Sequence, residues 1–274
     1  MKFTKMHGTG NDFIVIDDRE NRFLGKEEEL ALRLCNRHFG IGADGVLIVR
    51  NSDIASIKMV IINSDGSYAS MCGNGIRCFA KYIWEENLVK DKILKIETGD
   101  GIKEAVVTIK NGKAEEITID MGMPSFAPRK VPVEFKEEVI EKEVKIKNKN
   151  YIITTLFMGV PHTVIFGKLE DYDVAEGEYI EKYPVFTQGT NVNFCEIVNE
   201  KEVKVKTWER GAGPTLACGT GSCACVVAAN KIGLTGKEVK VSVPGGILLV
   251  EIKDDNSVFM TGPAAISFKG EYDI

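Results

Sequence analysis

Short runs of apolar, often β-branched residues recur along the chain, and several alternate with polar residues in the way that is typical of β-strands. Two pairs of runs are separated by the turn sequences Asn111-Gly112 and Pro244-Gly245-Gly246, which favour antiparallel hairpins. The predicted strands span residues 13–16, 46–49, 57–62, 105–109, 117–119, 151–157, 163–166, 203–207, 239–243 and 247–252.

Helical periodicity is limited to three segments of the chain. Residues 27–38 and 75–86 each place apolar side chains on one stripe, for example Ile76, Phe79 and Ile83 in the second segment. Residues 221–232 are apolar almost all round, so we expect this helix to be central and buried. Few helices among many antiparallel strands predict an α+β fold.

A charged, proline-punctuated stretch over residues 124–150 marks a boundary between two halves of similar size. Within it, residues 134–149 mix Glu and Lys with Val and Ile, which indicates a solvated edge hairpin. We therefore predict one domain over residues 1–120 and a second over 121–262. A last strand at about 263–274 ends the second half or returns to the first.

The two halves share a short motif at the start of a core helix. Met71-Cys72-Gly73-Asn74-Gly75 precedes the helix of the first half, and Ala217-Cys218-Gly219-Thr220-Gly221 precedes that of the second. Glycines at a helix entrance let backbone N–H groups approach an anion, and the helix dipole stabilises negative charge there. A cysteine at such a position is biased toward thiolate, its pKa falling from about 8.5 into a range of roughly 3.5 to 7.5. A pair of such thiols predicts a catalytic site shared by the two halves.

Composition narrows the choice of function. The net charge of −5, without a basic tract, argues against a nucleic-acid partner. The chain shows neither a secretory h-region nor an apolar run long enough for a membrane span, so we expect a protein of the reducing cytoplasm. Seven cysteines then need no pairing. Five of them lie in periodic apolar segments and are expected to pack in the core: Cys35, Cys78, Cys195, Cys223 and Cys225.

Two facing thiols can invert a carbon centre without a cofactor. A thiolate removes a proton from a carbon beside a carboxylate, and the other thiol delivers a proton to the opposite face. A cysteine protease would instead pair one thiol with a histidine and would not need the duplicated loop. The absence of Cys-x-x-Cys spacing argues against a zinc ribbon, an iron–sulfur site or a thioredoxin-like protein, so no metal is predicted.

Further motifs make the chain similar to a known family. Met6-His7-Gly8-Thr9-Gly10-Asn11-Asp12-Phe13, Gly40-Ile41-Gly42-Ala43-Asp44-Gly45, Pro161-His162, Asn191-Val192-Asn193-Phe194 and Trp208-Glu209-Arg210-Gly211-Ala212-Gly213, together with the two cysteine motifs, resemble diaminopimelate epimerase. The resemblance extends from Lys5 to Gly262. It implies two pseudo-symmetric domains, each a mostly antiparallel sheet wrapped around a central helix, and a homodimer to which Phe268 contributes a contact.

The resemblance also implies an activity and its residues. The family interconverts LL- and meso-2,6-diaminoheptanedioate without a cofactor, on the route to lysine and peptidoglycan. Cys72 and Cys218 match its two catalytic bases, and His162 and Glu209 match the residues that adjust the protonation of the thiols and meet the reacting ammonium. The remaining matches are substrate contacts, with Glu209 again among them: Asn11, Asn63, Gly73, Asn74, Asn191, Arg210, Gly219 and Thr220.

Two departures from the family pattern concern substrate detail. Val160 stands where many members carry an Asn that holds the distal end of the substrate, and Gly45 stands where some carry Gln. Two alternatives stay open on the sequence alone: a racemase or isomerase of another amino acid, and a thiol redox protein that forms a Cys72–Cys218 disulfide.

Overall fold

The structure is a computed structural model that describes residues 1–273. Its helices are α1 (Glu27–Cys35), α2 (Gly73–Glu85), α3 (Gly177–Glu181) and α4 (Gly219–Lys231), with 3₁₀ turns at Leu169–Asp171 and Val174–Glu176. The strands are β1 (Lys2–Gly8), β2 (Asn11–Asp17), β3 (Gly45–Arg50), β4 (Ile57–Asn63), β5 (Tyr68–Ala69), β6 (Ile93–Thr98), β7 (Gly101–Lys110), β8 (Lys113–Gly122), β9 (Lys142–Ile146), β10 (Lys149–Met158), β11 (Val160–Phe166), β12 (Asn191–Asn199), β13 (Glu202–Glu209), β14 (Gly213–Thr215), β15 (Glu238–Val243), β16 (Gly246–Ile252), β17 (Val258–Pro263) and β18 (Ala265–Glu271).

The chain divides into two units. Unit 1 comprises residues 1–120 together with the segment from residue 261 onward, and unit 2 comprises residues 121–260. The last strand, β18, therefore belongs to unit 1, where it pairs antiparallel with β1. None of the helices in residues 1–273 is long and apolar enough to cross a membrane.

Strand pairing follows the same order in both units. In unit 1 the order is β18-β1-β2-β3-β4-β6-β7-β8, with β2–β3 and β4–β6 parallel and the other pairs antiparallel. In unit 2 it is β9-β10-β11-β12-β13-β15-β16, with β11–β12 and β13–β15 parallel. The predicted α+β fold of two similar halves, each a mostly antiparallel sheet around a helix, is confirmed.

Each central helix is buried because its sheet curves around it. Helix α4 contacts β10, β11, β12, β13 and β16, and every residue from Gly221 to Ala229 is buried. Helix α2 contacts β1, β2, β4 and β7 and is buried from Gly73 to Ile83. With six apolar side chains of α2 and seven of α4 removed from water, burial rather than helix propensity holds these glycine-led segments helical.

The register of the parallel pairs defines which residues occupy equivalent places in the two units. Phe13 pairs with Gly45 across β2–β3, and His162 pairs with Asn191 across β11–β12. Phe13 is thus the counterpart of His162, and Gly45 that of Asn191. On the same strands, Asn11 is the counterpart of Val160, and Leu47 that of Asn193. Asn63 and Glu209, the last residues of β4 and β13, are a further pair of counterparts.

Several elements differ from the sequence prediction. Helix α1 ends at Cys35 rather than at residue 38, and α2 and α4 each begin two residues earlier than predicted. Strands β1, β6 and β12 were not predicted. The charged edge hairpin is formed by β9 and β10, so only its second part, from residue 142, is sheet.

Trp208 constrains the chain at Gly177, the first residue of α3. A Cβ on Gly177 would overlap Cβ and Cγ of Trp208. Helix propensity alone favours Ala over Gly by about 1 kcal/mol, but overpacking costs about 1–3 kcal/mol. The difference is a net cost of up to about 2 kcal/mol, so we expect Gly177→Ala to lower the free energy of unfolding by about that amount, measured as a lower urea midpoint at unchanged m-value.

Gly236 provides the matched control, because a Cβ added there would meet no atom closer than Glu200 O at 3.7 Å. Gly236→Ala should change the free energy of unfolding by less than about 0.5 kcal/mol. Equal effects of the two substitutions would show that the Trp208 contact does not constrain residue 177.

Candidate functional site

Cys72 lies immediately before α2 and caps its first turn. Its backbone is extended (φ −146°, ψ 118°), and its Sγ accepts a hydrogen bond from the backbone N–H of Gly75 at 3.4 Å. The sulfur takes the place that a Ser, Thr or Asp oxygen holds at most helix starts. The N–H groups of Gly73 and Asn74 belong to the same turn, where the helix supplies them with no carbonyl partner. The arrangement favours negative charge on the sulfur or on a ligand beside it.

Asn11, the first residue of β2, lies beside this thiol. Its Oδ1 is 3.7 Å from Cys72 Sγ and 3.3 Å from Asn74 Nδ2. Its Nδ2 donates to Asp44 Oδ2 at 2.7 Å. Because a carboxylate only accepts, Asp44 orients the Asn11 amide with its oxygen toward Cys72 and Asn74.

A buried arginine holds the other amide of this pair. Arg77 is fully buried, and its Nη2 donates to Asn74 Oδ1 at 3.0 Å and to Thr9 Oγ1 at 3.1 Å, while its Nη1 donates to Gly73 O at 3.0 Å. These bonds turn the Asn74 amine toward Asn11. Neither Arg77 nor Asp44 was predicted from the sequence to be a site residue. Arg77 was detectable as a cation within an otherwise apolar helical stripe.

Asp12 and Arg37 extend the network at the surface. Arg37 Nη2 donates to Asp12 Oδ1 at 2.7 Å and to Asp44 Oδ1 at 2.8 Å, and Lys5 pairs with Asp12 at 2.6 Å. Although burial opposes it, hydrogen bonding to Arg37 and Lys5 lowers the pKa of Asp12 to about 2. Arg37 thus gives the Asp44 carboxylate a positively charged partner.

Asn63 lies at the end of β4, opposite Gly45 on the neighbouring strand. It is half-buried, and its Nδ2 donates to Ser67 Oγ at 3.0 Å. The structure thus places it at the sheet edge where Asn11 begins β2, with its own side chain held by the following turn.

Cys218 repeats the geometry of Cys72 at the start of α4. Its backbone is extended (φ −112°, ψ 111°), and its Sγ accepts a hydrogen bond from Gly221 N–H at 3.4 Å. Thr220 Oγ1 lies 3.5 Å from the same sulfur. Cys218 is only 5% exposed, so this thiol is more enclosed within its unit than the half-buried Cys72.

Asn191 anchors the loop that carries Arg210. Its Oδ1 accepts from the backbone N–H of Arg210 at 2.9 Å, and its Nδ2 donates to Pro161 O at 3.0 Å. Arg210 is exposed, with Nη1 donating to Gln188 O at 2.6 Å, so the guanidinium is held at one corner and open to solvent elsewhere. The adjacent Glu209 is half-buried, and its Oε1 accepts from Thr215 Oγ1 at 2.7 Å.

His162 is fully buried in β11. Burial, reinforced by the charge of Arg210, lowers the pKa of His162 to about 3. Its Nδ1 lies 3.2 Å from Asn193 Nδ2, and its Nε2 has no hydrogen-bond partner within residues 1–273. Asn193 is a third residue that the sequence analysis left unassigned, although it follows Asn191 by two along an alternating strand and so shares its face.

The five remaining cysteines pack in the cores, as expected. Burial raises the pKa of Cys35 and of Cys78 to about 12 and raises that of Cys225 well above the usual range, so these thiols stay protonated.

Phe268 on β18 is 50% exposed and makes an edge contact with Phe3, ring centres 5.9 Å apart. Within residues 1–273 no group of three or more His, Cys, Asp or Glu side chains has the arrangement of a metal site.

The low pKa of His162 predicts a loss of stability in acid. The folded pKa of about 3 lies below the unfolded value of 6.5, so between these pH values the unfolded chain binds the proton and the folded chain does not. Stability is therefore lost as the pH falls from 6.5 toward 3, by about 2 kcal/mol at pH 5. We expect His162→Phe, which installs the side chain of its counterpart Phe13, to remove this slope in urea unfolding between pH 7 and pH 5.

Two further groups help to assign the change of stability with pH to His162. His38 is exposed, so His38→Phe should leave it unchanged. Asp12 loses its contribution only as the pH falls from 3.8 to about 2, outside the interval measured. An unchanged slope in His162→Phe would contradict a neutral buried His162.

Comparisons with known proteins agree with the motifs and the fold. A family model described as Diaminopimelate epimerase matches residues 3–127 and 154–267. The chain is 58% identical over 272 residues to the diaminopimelate epimerase of Clostridium perfringens, with 99% of each covered, and 46% identical over 277 residues to that of Caldanaerobacter subterraneus, with 100% of each covered.

Solved structures of low sequence identity share the fold. A probable proline racemase from Agrobacterium radiobacter superposes with a TM-score of 0.72 at 15% identity, covering 100% of this chain and 93% of that one. A PhzF-family phenazine biosynthesis protein from Bacillus anthracis gives 0.72 at 17% identity, covering 100% and 99%. At these identities the likeness concerns the fold alone. The family model covers most of this chain and the curated relatives cover nearly all of it, and the chain belongs to the diaminopimelate epimerase family.

Proposed function

We propose that the protein is a cofactor-independent epimerase that interconverts LL- and meso-2,6-diaminoheptanedioate, with Cys72 and Cys218 as its two acid–base groups. The observation that carries the proposal is the repeated thiol cap. Each unit places one cysteine at the start of its buried helix, with the sulfur 3.4 Å from the backbone nitrogen three residues on. The names of the curated relatives supply the substrate.

The reaction balances with these two groups alone. One cysteine, as thiolate, takes the α-proton, and the electron pair left on carbon delocalises into the neighbouring carboxylate. The other cysteine, as thiol, gives its proton to the opposite face of the same carbon. The centre is inverted, the first sulfur is now protonated, and the second is the thiolate. The reverse reaction uses the same groups with exchanged roles.

The helix starts supply the electrostatic stabilisation that this step needs. Negative charge develops on the reacting carboxylate, and preorganised N–H groups aimed at developing charge lower the barrier most when they need not reorganise. Gly73 and Asn74 in unit 1, and Gly219 and Thr220 in unit 2, provide such groups at positive helix ends. Asn11 and Asn74 add amides whose orientation is already fixed by Asp44 and Arg77.

Glu209 and Arg210 suit the charged groups of the substrate. The Glu209 carboxylate, steadied by Thr215, can accept from the reacting ammonium and bias the protonation of a thiol near it. The exposed guanidinium of Arg210 can pair bidentately with the distal carboxylate. Asn63 contributes an amide, and Asn191 holds the Arg210 backbone in place. Val160 leaves the place equivalent to Asn11 apolar in unit 2, so more of the distal recognition falls to Arg210.

The setting of the enzyme follows from the proposed reaction. Its products feed lysine and peptidoglycan synthesis, and we accordingly propose that the protein is cytoplasmic. We further propose a homodimer, supported by the half-exposed Phe268 on β18, and neither a nucleic-acid nor a membrane partner, in keeping with the weak net charge of −5.

Deuterium incorporation tests the two-base reaction. In D₂O without added pyridoxal phosphate, LL substrate should yield meso product deuterated at the inverted carbon, while LL substrate recovered early stays protonated there. Cys72→Ser and Cys218→Ser should each lower turnover by at least roughly 10³-fold, because a serine hydroxyl is far too weak an acid for the role. Cys195→Ser, at a core position, serves as the control for loss of a thiol as such.

Other outcomes point to other functions. Turnover by both single variants would overturn the two-thiol mechanism, and rapid exchange into recovered LL substrate would indicate a single base. Turnover of proline or hydroxyproline in place of diaminopimelate would make the protein a racemase of another amino acid. An effect confined to a Cys72–Cys218 disulfide form would indicate a redox protein.

Arg210 should determine the requirement for a second carboxylate. A charge-assisted bidentate pair contributes about 1.5–3 kcal/mol, so we expect Arg210→Gln to lower kcat/KM roughly 10- to 100-fold, mostly through KM. Arg210→Lys should recover only part, since it keeps the charge and loses the fork. Arg22→Gln, at an exposed site in unit 1, should change neither constant. Unchanged kinetics in Arg210→Gln would assign the distal carboxylate to other residues.

A further inference from the structure

The residues beneath the two helix starts differ in a way that the shared fold does not require. In unit 1 a Cβ added to Gly75 would lie 3.3 Å from Leu47 and 3.5 Å from Phe13. In unit 2 a Cβ added to the equivalent Gly221 would overlap Asn193 Oδ1. The apolar pair Phe13 and Leu47 is thus replaced by His162 and Asn193. All four side chains are buried, so the polar pair of unit 2 is costly unless its hydrogen bonds are made.

The orientation of the Asn193 amide follows from its neighbours. Its nitrogen lies 3.2 Å from Thr163 O and 3.5 Å from Asn191 O, both backbone carbonyls that can only accept. Its oxygen lies 3.0 Å from Thr207 Oγ1, whose hydroxyl donates to it. Exchanging the two ends of the amide would set its oxygen against two carbonyl oxygens. Nδ2 is therefore the end that faces His162 Nδ1, at 3.2 Å.

This orientation decides the tautomer of His162. The two protons of Nδ2 serve its two shortest contacts, Thr163 O and His162 Nδ1, each at 3.2 Å, and Asn191 O is the more distant acceptor. Nδ1 is therefore the acceptor of that bond and carries no proton. In the neutral ring the proton is then on Nε2. That N–H is buried and has no acceptor within residues 1–273. The folded protein therefore bears the desolvation cost of a donor that makes no hydrogen bond in this structure.

A continuous chain of contacts joins this ring to the second thiol. The ring meets Asn193 Nδ2, Asn193 Oδ1 abuts Gly221, and Gly221 N–H donates to Cys218 Sγ. These contacts place the ring, through Asn193, beside the first turn of α4, where the helix dipole favours negative charge. A buried donor without an acceptor suits an anion rather than a cation. The ammonium of a substrate, which has only protons to offer, cannot bond to an Nε2–H.

We propose that Asn193 is a positioning residue that fixes His162 as the neutral Nε2–H tautomer, so that the ring donates a hydrogen bond to the negative charge held at the start of α4. The inference rests on the proposed function for its kinetic consequence, while its structural part stands on the hydrogen bonds alone. His162 then supports the reaction as a fixed dipole. Glu209 is left to accept from the ammonium.

A double-mutant cycle on turnover tests whether Asn193 acts through His162. The two substitutions are those that unit 1 already carries, Asn193→Leu and His162→Phe, so both fit the fold. Contacting residues that act as a unit couple by about 0.5–3 kcal/mol. We expect Asn193→Leu to lower kcat about tenfold in the wild-type background and by less than about twofold beside His162→Phe. Equal losses in both backgrounds would overturn the proposal.

Nitrogen-15 NMR of labelled histidine tests the tautomer independently of any activity. Only three histidines occur in the chain, and His162→Phe identifies the relevant signals. The wild-type protein should show a protonated Nε2 and a bare Nδ1 from pH 6 to 9, and Asn193→Leu should shift both nitrogens toward averaged values. A protonated Nδ1 in the wild-type protein would overturn the inference, even if Asn193→Leu failed to fold.

Two control variants separate orientation from general damage. Thr207→Val removes the hydroxyl from the oxygen side of the amide and leaves both carbonyls in place, so the Nε2–H tautomer should persist. Asn199→Asp lies on the same strand, is exposed and keeps its acceptor for Lys201 N–H, so kcat should not change. If Thr207→Val lost the Nε2–H tautomer, the carbonyl contacts of Asn193 would not be what determines the tautomer of His162. That result would contradict the proposal. If the wild-type protein lacked epimerase activity, the proposed function would fail while the NMR result still decided the tautomer.

Discussion

A sulfur that accepts the first backbone hydrogen bond of a buried helix is the constraint on which the rest of this structure depends. Water is largely excluded from such a helix start, and the helix offers its first N–H groups no carbonyl. The cap satisfies one of those groups, and the positive end of the helix dipole favours negative charge beside it. The surrounding sheet then has two tasks. It must bury the helix, and its strand ends must bring polar side chains to the same turn.

The two units perform the second task differently. Unit 1 uses amides whose orientation is imposed from outside by charged groups, Asp44 on one side and Arg77 on the other. Unit 2 uses two titratable side chains instead: Glu209, and His162, whose imidazole burial holds neutral. Their counterparts, Asn63 and Phe13, are neutral side chains. A common frame thus carries hydrogen-bonding groups in one half and titratable groups in the other.

The sequence could predict the thiol caps because their signal is local. Cys-Gly-x-Gly before an apolar helix encodes the turn, the dipole and the sulfur together. Strand β12 escaped prediction for the opposite reason. Val192 and Phe194 face a core, but Asn191 and Asn193 on the other face are buried too, so alternation that normally indicates solvent here indicates a polar interior. Likewise, Asp44 and Arg77 gain their importance from partners more than 30 and 60 residues away, Asn11 and Thr9, which no local pattern reveals.

The return of β18 to unit 1 has a consequence for the order in which the polypeptide acquires its structure on the ribosome. Strand β1 and its neighbour β2 precede unit 2 in the chain, yet the neighbour on the other side of β1 is β18, which follows unit 2, and Tyr272 N–H bonds to Met1 O. At roughly 5–20 residues per second, the growing chain spends on the order of ten seconds making unit 2 while this edge of the first sheet stays open. An open edge is a template for pairing with other chains. Unit 2 therefore has all its strands before unit 1 does. Until β18 is made, the open edge of unit 1 needs protection from pairing with other chains.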